Sequence, residues 1–537
     1  MPSGPIRGSM RVMRWRPLIF VAGFLLAAVG GYLVARSAAP AEKDMEVAEK
    51  RKSARARLPH EMINPDPEFR KGTRPAFEAD REAQEAGALV GQRTLVFANR
   101  AAMEEFLARA GGKVNVMGRL DRLFALRIGF LNYGDFASLL DGSEQIGLNF
   151  SATFPESETV SAQPGAVPMG NGLLEWLGIT GDHSSWGQGV RIAVLDTGVS
   201  AHSAFGGQLI PIGAAGDPNG HGTAVTSMIL GNTPLLPGVA PGSTVLAFQV
   251  ADENGYSDSF RIAEGILAAM DAGAIIINIS LGSTGDSALL RSVVAMAREA
   301  GVLIVAPTGN SGTNQVLMPA AYDGVIGVGA VDKAGQVLAF SNTGRGIDLV
   351  APGYGLNAAW TGDGAAAVSG TSFSGPIVAG MIAGVMQQMG VSNVQAWDII
   401  LRNLDETGQP GYDEIAGNGT PNVPRALSSG TVGIHDAAFA SYWVDPARPD
   451  QMQVTIQNRG TEPLVNTTVT VKGPAGTRYF NATTLKVGAI QTFSVPMGRS
   501  NGGSANFETS VTISGGKQDA RPGNNIRVET HTPSTGW

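Results

Sequence analysis

Apolar and polar positions follow three different rhythms along this 537-residue chain. Between Arg93 and Phe154 the apolar runs are short. Thr94–Ala98, Lys113–Met117, Leu123–Ile128 and Gln145–Phe150 predict strands. Asn99 is placed to cap a helix through Ala110, with Met103, Phe106 and Leu107 on one face, and Tyr133–Leu140 predicts a second, shorter helix. From Leu173 to about Ser429 the strands become continuously apolar: Val190–Leu195, Val245–Val250, Ile275–Ile279, Leu303–Ala306, Val325–Val331 and Asp348–Gly353. Helices are predicted after His221, over Ser259–Ala272 and from Ser372 to Met389, and Val394–Glu406 with the Gly417–Leu427 stretch closes the domain. Strands without a polar face imply a parallel sheet with helices on both faces. From Thr431 the rhythm changes to alternation. Met452–Asn458, Thr467–Lys472, Gln491–Pro496 and Glu508–Ser514, with Gly- and Asn-rich turns between them, predict an antiparallel β-sandwich.

The boundaries follow. Arg7, Arg11, Arg14 and Arg16 precede an apolar stretch from Pro17 to Ala35, about the minimum length for a bilayer span. Ala39-Pro40-Ala41 fits a small-x-small cleavage pattern. Two readings stay open, a cleaved signal and a retained anchor through residues 17–35. Both leave the N-terminus cytoplasmic and export the rest. The division is 1–41 export signal or anchor, 42–90 charged linker, 91–154 first domain, 155–172 linker, 173–430 central domain and 431–537 sandwich. The first domain has the β-α-β-β-α-β order of a ferredoxin-like fold.

Composition excludes several chemistries. There is no cysteine, so disulfides, thiolate nucleophiles and zinc–thiolate sites are absent. Six histidines without a His-Glu-x-x-His string argue against a zinc protease. A formal charge of −7 argues against nucleic acid as the main partner.

Four polar residues stand out in the central domain. Asp196 ends the strand Val190–Leu195 and is followed by Thr197-Gly198. Ligands meet parallel sheets at such strand ends. His221 lies between two glycines at a helix start, in Asn219-Gly-His-Gly-Thr223. Asn310 sits on a Gly-framed loop after a strand and offers an amide donor. Ser372 follows Gly370-Thr371 at the start of the apolar helix, where the helix dipole and unpaired N–H groups favour negative charge. Pro376 is expected in the first turn, where no N–H is needed. Taken singly, each of the four is an ordinary turn, cap or helix-start residue.

Together they occur in the order Asp…His…Ser that subtilisin uses. Ile192-Ala-Val-Leu-Asp-Thr-Gly198, Asn219–Thr223, Gly238-Val-Ala-Pro241, Ile277-Asn-Ile-Ser-Leu-Gly282, Ala306-Pro-Thr-Gly-Asn310, Val350-Ala-Pro-Gly353 and Gly370-Thr-Ser372 resemble, in order, the motifs of the subtilisin-like serine proteases. The resemblance covers about half the chain. It implies a subtilisin-like, mostly parallel α/β sheet and an exported serine endopeptidase acting on proteins or peptides. Ser372 then resembles the nucleophile, His221 the general base, Asp196 the residue orienting that base, and Asn310 the side-chain half of the oxyanion hole. The Ser372 N–H is the other half. The physical logic is that of any hydroxyl nucleophile. Substrate is expected to bind along Ser280, Leu281 and Gly282, and against Pro307, Thr308 and Gly309. Neither segment carries a charge, which predicts cleavage after Leu, Phe, Met or Tyr.

Residues 91–154 resemble the family's pro-domain by topology and position, which implies an intramolecular inhibitor. Gln457-Asn-Arg-Gly-Thr461 and Arg521-Pro-Gly-Asn-Asn525 resemble CARDB-like, immunoglobulin-type domains. Two departures are plain. Phe373 and Ser374 stand where relatives have Met-Ala, and Ala224 replaces a second His. No cofactor is expected for catalysis and no metal site is assigned. Structural calcium stays open but unsupported. Gly231–Gly238 lacks acidic residues, and Asp252-Glu253-Asn254-Gly255 lacks full loop spacing. The alternative function is a non-catalytic, surface-tethered binding protein on the same scaffold.

Overall fold

Seven parallel strands form the centre of the computed structural model, in the order Leu349–Pro352, Val325–Val331, Leu303–Pro307, Ile276–Ile279, Arg191–Asp196, Thr244–Gln249 and Leu209–Ile212. The structure describes residues 79–154, 165–213, 215–498 and 504–531. The apolar stretch 17–35 and most of the charged linker lie outside them. The described residues belong to one compact unit, Phe77–Trp537.

The N-terminal part begins with a short helix α1 (Arg81–Ala86), inside the stretch read as linker. Asp80 caps it and is buried in an ion pair with Arg93. Then follow β1 (Gln92–Val96), α2 (Arg100–Ala110), β2 (Asn115–Leu120), β3 (Ala125–Gly129), α3 (Tyr133–Ala137) and β4 (Gln145–Gly147). Asn99 caps α2 through its side chain, and Met103 and Phe106 are buried beneath it. The sheet is antiparallel, in the order β2-β3-β1-β4.

The chain then does something the sequence did not suggest. Ser151–Thr153, just past the expected end of the last strand at Phe150, forms a further strand, β5. Its partner is β9 (Tyr256–Asp258) of the central domain. Phe150 and Ala152 explain the choice, because both are buried. Ala152 joins the core of the central domain rather than that of its own sheet.

The central domain runs α4 (Leu173–Trp176), β6 (Arg191–Asp196), β7 (Leu209–Ile212), α5 (His221–Leu230), β8 (Thr244–Gln249), β9, α6 (Ser259–Asp271), β10 (Ile276–Ile279), α7 (Ala288–Glu299), β11 (Leu303–Pro307), β12 (Val325–Val331), β13 (Leu349–Pro352), β14 (Leu356–Trp360), β15 (Gly364–Val368), α8 (Thr371–Met389), α9 (Asn393–Arg402) and α10 (Val423–Leu427). Alternate residues of β6 serve two cores. Ile192 and Val194 face the core shared with α5 and α8. Ala193 and Leu195 face the core shared with α6 and α7. A sheet covered on both faces is what continuous apolar strands require. The hairpin β14–β15 and the edge strand β7 were not anticipated.

Pro376 is displaced from its expected place. Because α8 starts at Thr371, Pro376 is its sixth residue and lies inside the helix.

The C-terminal part has strands β16 (Ala437–Val444), β17 (Gln451–Asn458), β18 (Leu464–Gly473), β19 (Gly476–Leu485), β20 (Ile490–Pro496), β21 (Ala505–Thr512) and β22 (Ile526–His531). They form two antiparallel sheets, β16-β17-β20 and β19-β18-β21-β22. Phe439, Val454 and Ile456 of one share a core with Val469, Val471 and Phe507 of the other.

Candidate active site

Parallel strands direct their C-terminal ends toward one rim, and the site is built there. Asp196 ends β6 and is fully buried. His221 opens α5 and is 6% exposed. Its Nδ1 lies 2.8 Å from Asp196 Oδ1. That contact depends on Gly222. A Cβ there would come within 1.9 Å of the Gly198 carbonyl oxygen and 3.1 Å of Asp196 Cβ. The Thr197 N–H also donates to Asp196 Oδ1, at 2.7 Å.

A residue missed in the sequence organises this corner. Asp217 is buried. Its carboxylate accepts from the N–H of Gly220 at 2.9 Å and of Thr223 at 2.8 Å, and from the Thr223 hydroxyl at 2.8 Å. The Thr197 hydroxyl lies 2.9 Å from the same carboxylate. Asp217 therefore joins the turn after Asp196 to the start of the His221 helix. Its only sequence signal was an Asp four residues before a helix-opening His. That signal is indistinguishable from a turn.

Ser372 is the second residue of α8 and is 1% exposed. The N–H groups of a helix's first turn have no intrahelical acceptor. Asn310 lies beside it on the loop after β11. Its side-chain oxygen accepts from Thr371, at 2.9 Å from the N–H and 2.8 Å from the hydroxyl. The amide NH₂ is thereby turned the other way. Gly370, at φ 141°, leaves room for it, since a Cβ there would lie 2.8 Å from Asn310 Nδ2.

His221 Nε2 and Ser372 Oγ are both buried without a hydrogen-bond partner, so the base–nucleophile bond is not made in this state. Such bonds are commonly loose before substrate arrives. Two aromatic rings lie against the His221 ring. Phe154 stacks on it at 4.7 Å between centroids, and Phe373 lies at 5.3 Å.

The expected substrate-binding residues divide by role. The Gly282 backbone makes an antiparallel bridge with Thr153, with N···O distances of 2.8 and 3.0 Å. Leu281 is fully buried. Ser280 is also buried, and its hydroxyl points inward to Ser372. Pro307 ends β11. Thr308 accepts from the Leu317 N–H at 3.0 Å, and Met318 pairs with Ser283. Gly309 donates to the Thr371 hydroxyl at 3.3 Å. The apolar Leu317 and Met318 are thus tied to both wall segments.

Among the described residues, no group of three or more His, Asp or Glu is placed to hold a metal ion. Asp252 uses its carboxylate for the N–H groups of Asn254 and Tyr256, each at 2.9 Å, which makes a turn.

Comparison with known proteins matches residues 187–419 to the model of the subtilase family. A thermostable alkaline protease of Halalkalibacterium halodurans is 39% identical over 249 residues, 45% of this chain and 68% of that protein. Subtilisin Savinase of Lederbergia lenta is 38% identical over 249 residues, 45% of this chain and 91% of that protein. Among solved structures, the prenylagaramide maturation protease PagA aligns with a TM-score of 0.42 and 29% identity, over 48% of this chain and 98% of that one.

Proposed function

The chain belongs to the subtilase family, and from that premise we propose that it is an exported serine endopeptidase working through an acyl-enzyme on Ser372. The observation that carries the proposal is the Asp196–His221 bond of 2.8 Å, set beside a serine at a helix N-terminus. His221 takes the Ser372 proton as the hydroxyl attacks the scissile carbonyl, then gives it to the leaving amine. Asp196, bonded to Nδ1, leaves Nε2 as the nitrogen facing the reaction and stabilises the imidazolium. The carbonyl oxygen becomes charged only in the tetrahedral state. Asn310 Nδ2 and the Ser372 N–H are the donors assigned to it. Nucleophile, base and oxyanion donors are all protein groups, so the chemistry needs no cofactor. The complete set leaves nothing that favours the alternative of a non-catalytic binding protein.

The N-terminal domain is the proposed intramolecular inhibitor. Its strand order supports a ferredoxin-like pro-domain, and its last described residues support the mode of inhibition. Thr153 bonds Gly282 as a substrate strand would, and Phe154 covers His221. Export rests on the basic and apolar N-terminus, with anchor and cleaved signal both open. The C-terminal part is proposed to be a CARDB-like domain of immunoglobulin type, on its two antiparallel sheets and the turn motifs. The uncharged segments 280–283 and 306–309, to which Leu317 and Met318 are tied, are proposed as the walls of an apolar specificity pocket that favours cleavage after Leu, Phe, Met or Tyr.

The test is casein hydrolysis by the mature protein and by Ser372→Ala, with sites profiled on a mixed peptide library. Activity should vanish in the variant, and sites should follow apolar residues. Undiminished hydrolysis by Ser372→Ala would overturn the mechanism. Dominant cleavage after Lys or Arg would overturn the pocket reading.

A further inference from the structure

A proline inside a helix removes the donor that the carbonyl four residues earlier would have used. Pro376 lies inside α8, and the carbonyl it deprives is that of Ser372 itself. That oxygen is not orphaned. Ser280 Oγ donates to it at 3.0 Å. Ser280 Oγ in turn accepts from Asn278 Nδ2 at 2.8 Å, which directs the hydroxyl hydrogen toward Ser372. Asn278 is 0% exposed, and Ser280 and Ser372 are 1% exposed each.

We infer that Ser280 is a positioning residue for the nucleophile, with Asn278 behind it and Pro376 keeping the Ser372 carbonyl open to it. The inference rests on Ser372 being the nucleophile. An ordinary helical bond from residue 376 would tie Ser372 only to its own helix. The bond from Ser280 ties it to the end of β10, which pairs with β6, the strand that carries Asp196. On the other side, Thr371 is bonded to Asn310, beyond β11, which also pairs with β10. The nucleophile is thus clamped from both flanks to neighbouring strands of the sheet that places its base. Attack geometry is sensitive to shifts of this scale, since about 1 Å of misplacement costs about 10²-fold in rate.

The Ser280 side chain is turned away from the cleft, so its loss should act on turnover and not on substrate binding. In the full-length enzyme, Ser280→Ala should lower kcat by roughly tenfold or more, with KM within about twofold and the pH profile unchanged. Inactivation by a small serine-directed phosphonyl fluoride should slow by a similar factor, because it reads the nucleophile without peptide docking. Pro376→Ala supplies an N–H to the same carbonyl. In that background, Ser280→Ala should cost less than about threefold. If Ser280→Ala does not fold, Ser280→Cys, which keeps the volume with a weaker donor, should show an intermediate loss with the same dependence on Pro376. An unchanged kcat in a folded Ser280 variant overturns the inference. So does an equal loss in both backgrounds, since the carbonyl bond would then not be the cause. Failure of the mechanism itself would look different, as the unsubstituted enzyme would neither hydrolyse casein nor react with the fluoride.

Discussion

The N-terminal sheet domain and the C-terminal sandwich both border the peptidase domain, and they meet it through different chemistry. The N-terminal contacts run from the cleft along α6. β5 pairs with β9, Thr153 bridges Gly282, and Phe154 lies on His221. Asn149 accepts from the Ser259 hydroxyl at 2.8 Å and the Phe260 N–H at 3.1 Å, capping α6 together with Asp258. Arg127 pairs with Asp258, and Arg122 with Asp271. The C-terminal contacts lie after α9 instead. Arg459 pairs with Asp405 at 3.1 Å, and Gln457 bonds the backbone of Leu404 and Glu406. Arg425 lies buried in the same seam. Strand pairing at the cleft is chemistry that a substrate backbone can replace. The ion pairs, Arg127–Asp258 at the first seam and Arg459–Asp405 at the second, are not. The seams therefore differ in strand pairing and not in buried charge.

The largest effect should come from removing chemistry while leaving both seams intact. Ser372→Ala should eliminate all but a residue of peptidase activity, and Asn310→Ala should lower turnover by about 10²–10³-fold with little change in KM. Both variants should keep the unfolding midpoint within a few degrees. Full turnover in Asn310→Ala would remove it from the oxyanion hole.

The cleft seam is tested next. Residues 79–154, which keep Asp80 with Arg93, should inhibit the mature enzyme competitively when added separately. Asn149→Ala in that fragment should weaken inhibition by roughly thirtyfold, because two bonds to the start of α6 are lost and each is worth about 1 kcal/mol. Absence of inhibition at high micromolar concentration would dismiss the pro-domain reading. At the other seam, Asp405→Ala leaves Arg459 and Arg425 without their carboxylate. A loss of about 3 kcal/mol in stability is expected, with kcat unchanged. A fall in kcat without loss of stability would mean that the sandwich speaks to the active site.

How much was legible in the sequence also divides along this comparison. Asp196, His221, Asn310 and Ser372 were readable because each stands at a strand end or helix start framed by glycine, a local signal. Asp217 and the inward hydroxyl of Ser280 were not. Nothing local says that an Asp will be buried against several N–H and hydroxyl donors, or that a serine will turn toward a carbonyl 92 residues away. β5 was not legible because Ala152 packs on another domain. β19 escaped because eight of its ten residues are exposed or half-buried, which leaves little alternation to see. The helix start was read to within one residue, and Pro376 was still expected too early, because a turn holds only about 3.6 residues and the proline is the sixth.

The smallest effect separates the seams by pH. Glu406 is buried at the C-terminal seam, and one of its carboxylate oxygens has no partner. Burial pushes its pKa from 4.5 up to about 7. Backbone N–H groups of Gly411 and Thr407 and the Arg459 charge pull the other way, while Asp413 adds to the rise. The folded state therefore holds a proton that the unfolded state releases between about pH 4.5 and 7. Stability contributed by that proton is fully present below the unfolded pKa and is lost as pH rises through the folded one. Asp348, raised to about 6 by burial, has the same sign over a lower window. Comparison with Glu406→Gln isolates the Glu406 share. In a Ser372→Ala background, which prevents autolysis, Glu406→Gln should gain about 1–2 kcal/mol over the parent between pH 5 and pH 8. Urea unfolding at the two pH values measures it. Parallel behaviour of the two chains would mean that the Glu406 carboxyl finds water or a cation at the seam, and that this border is looser than its buried charges imply.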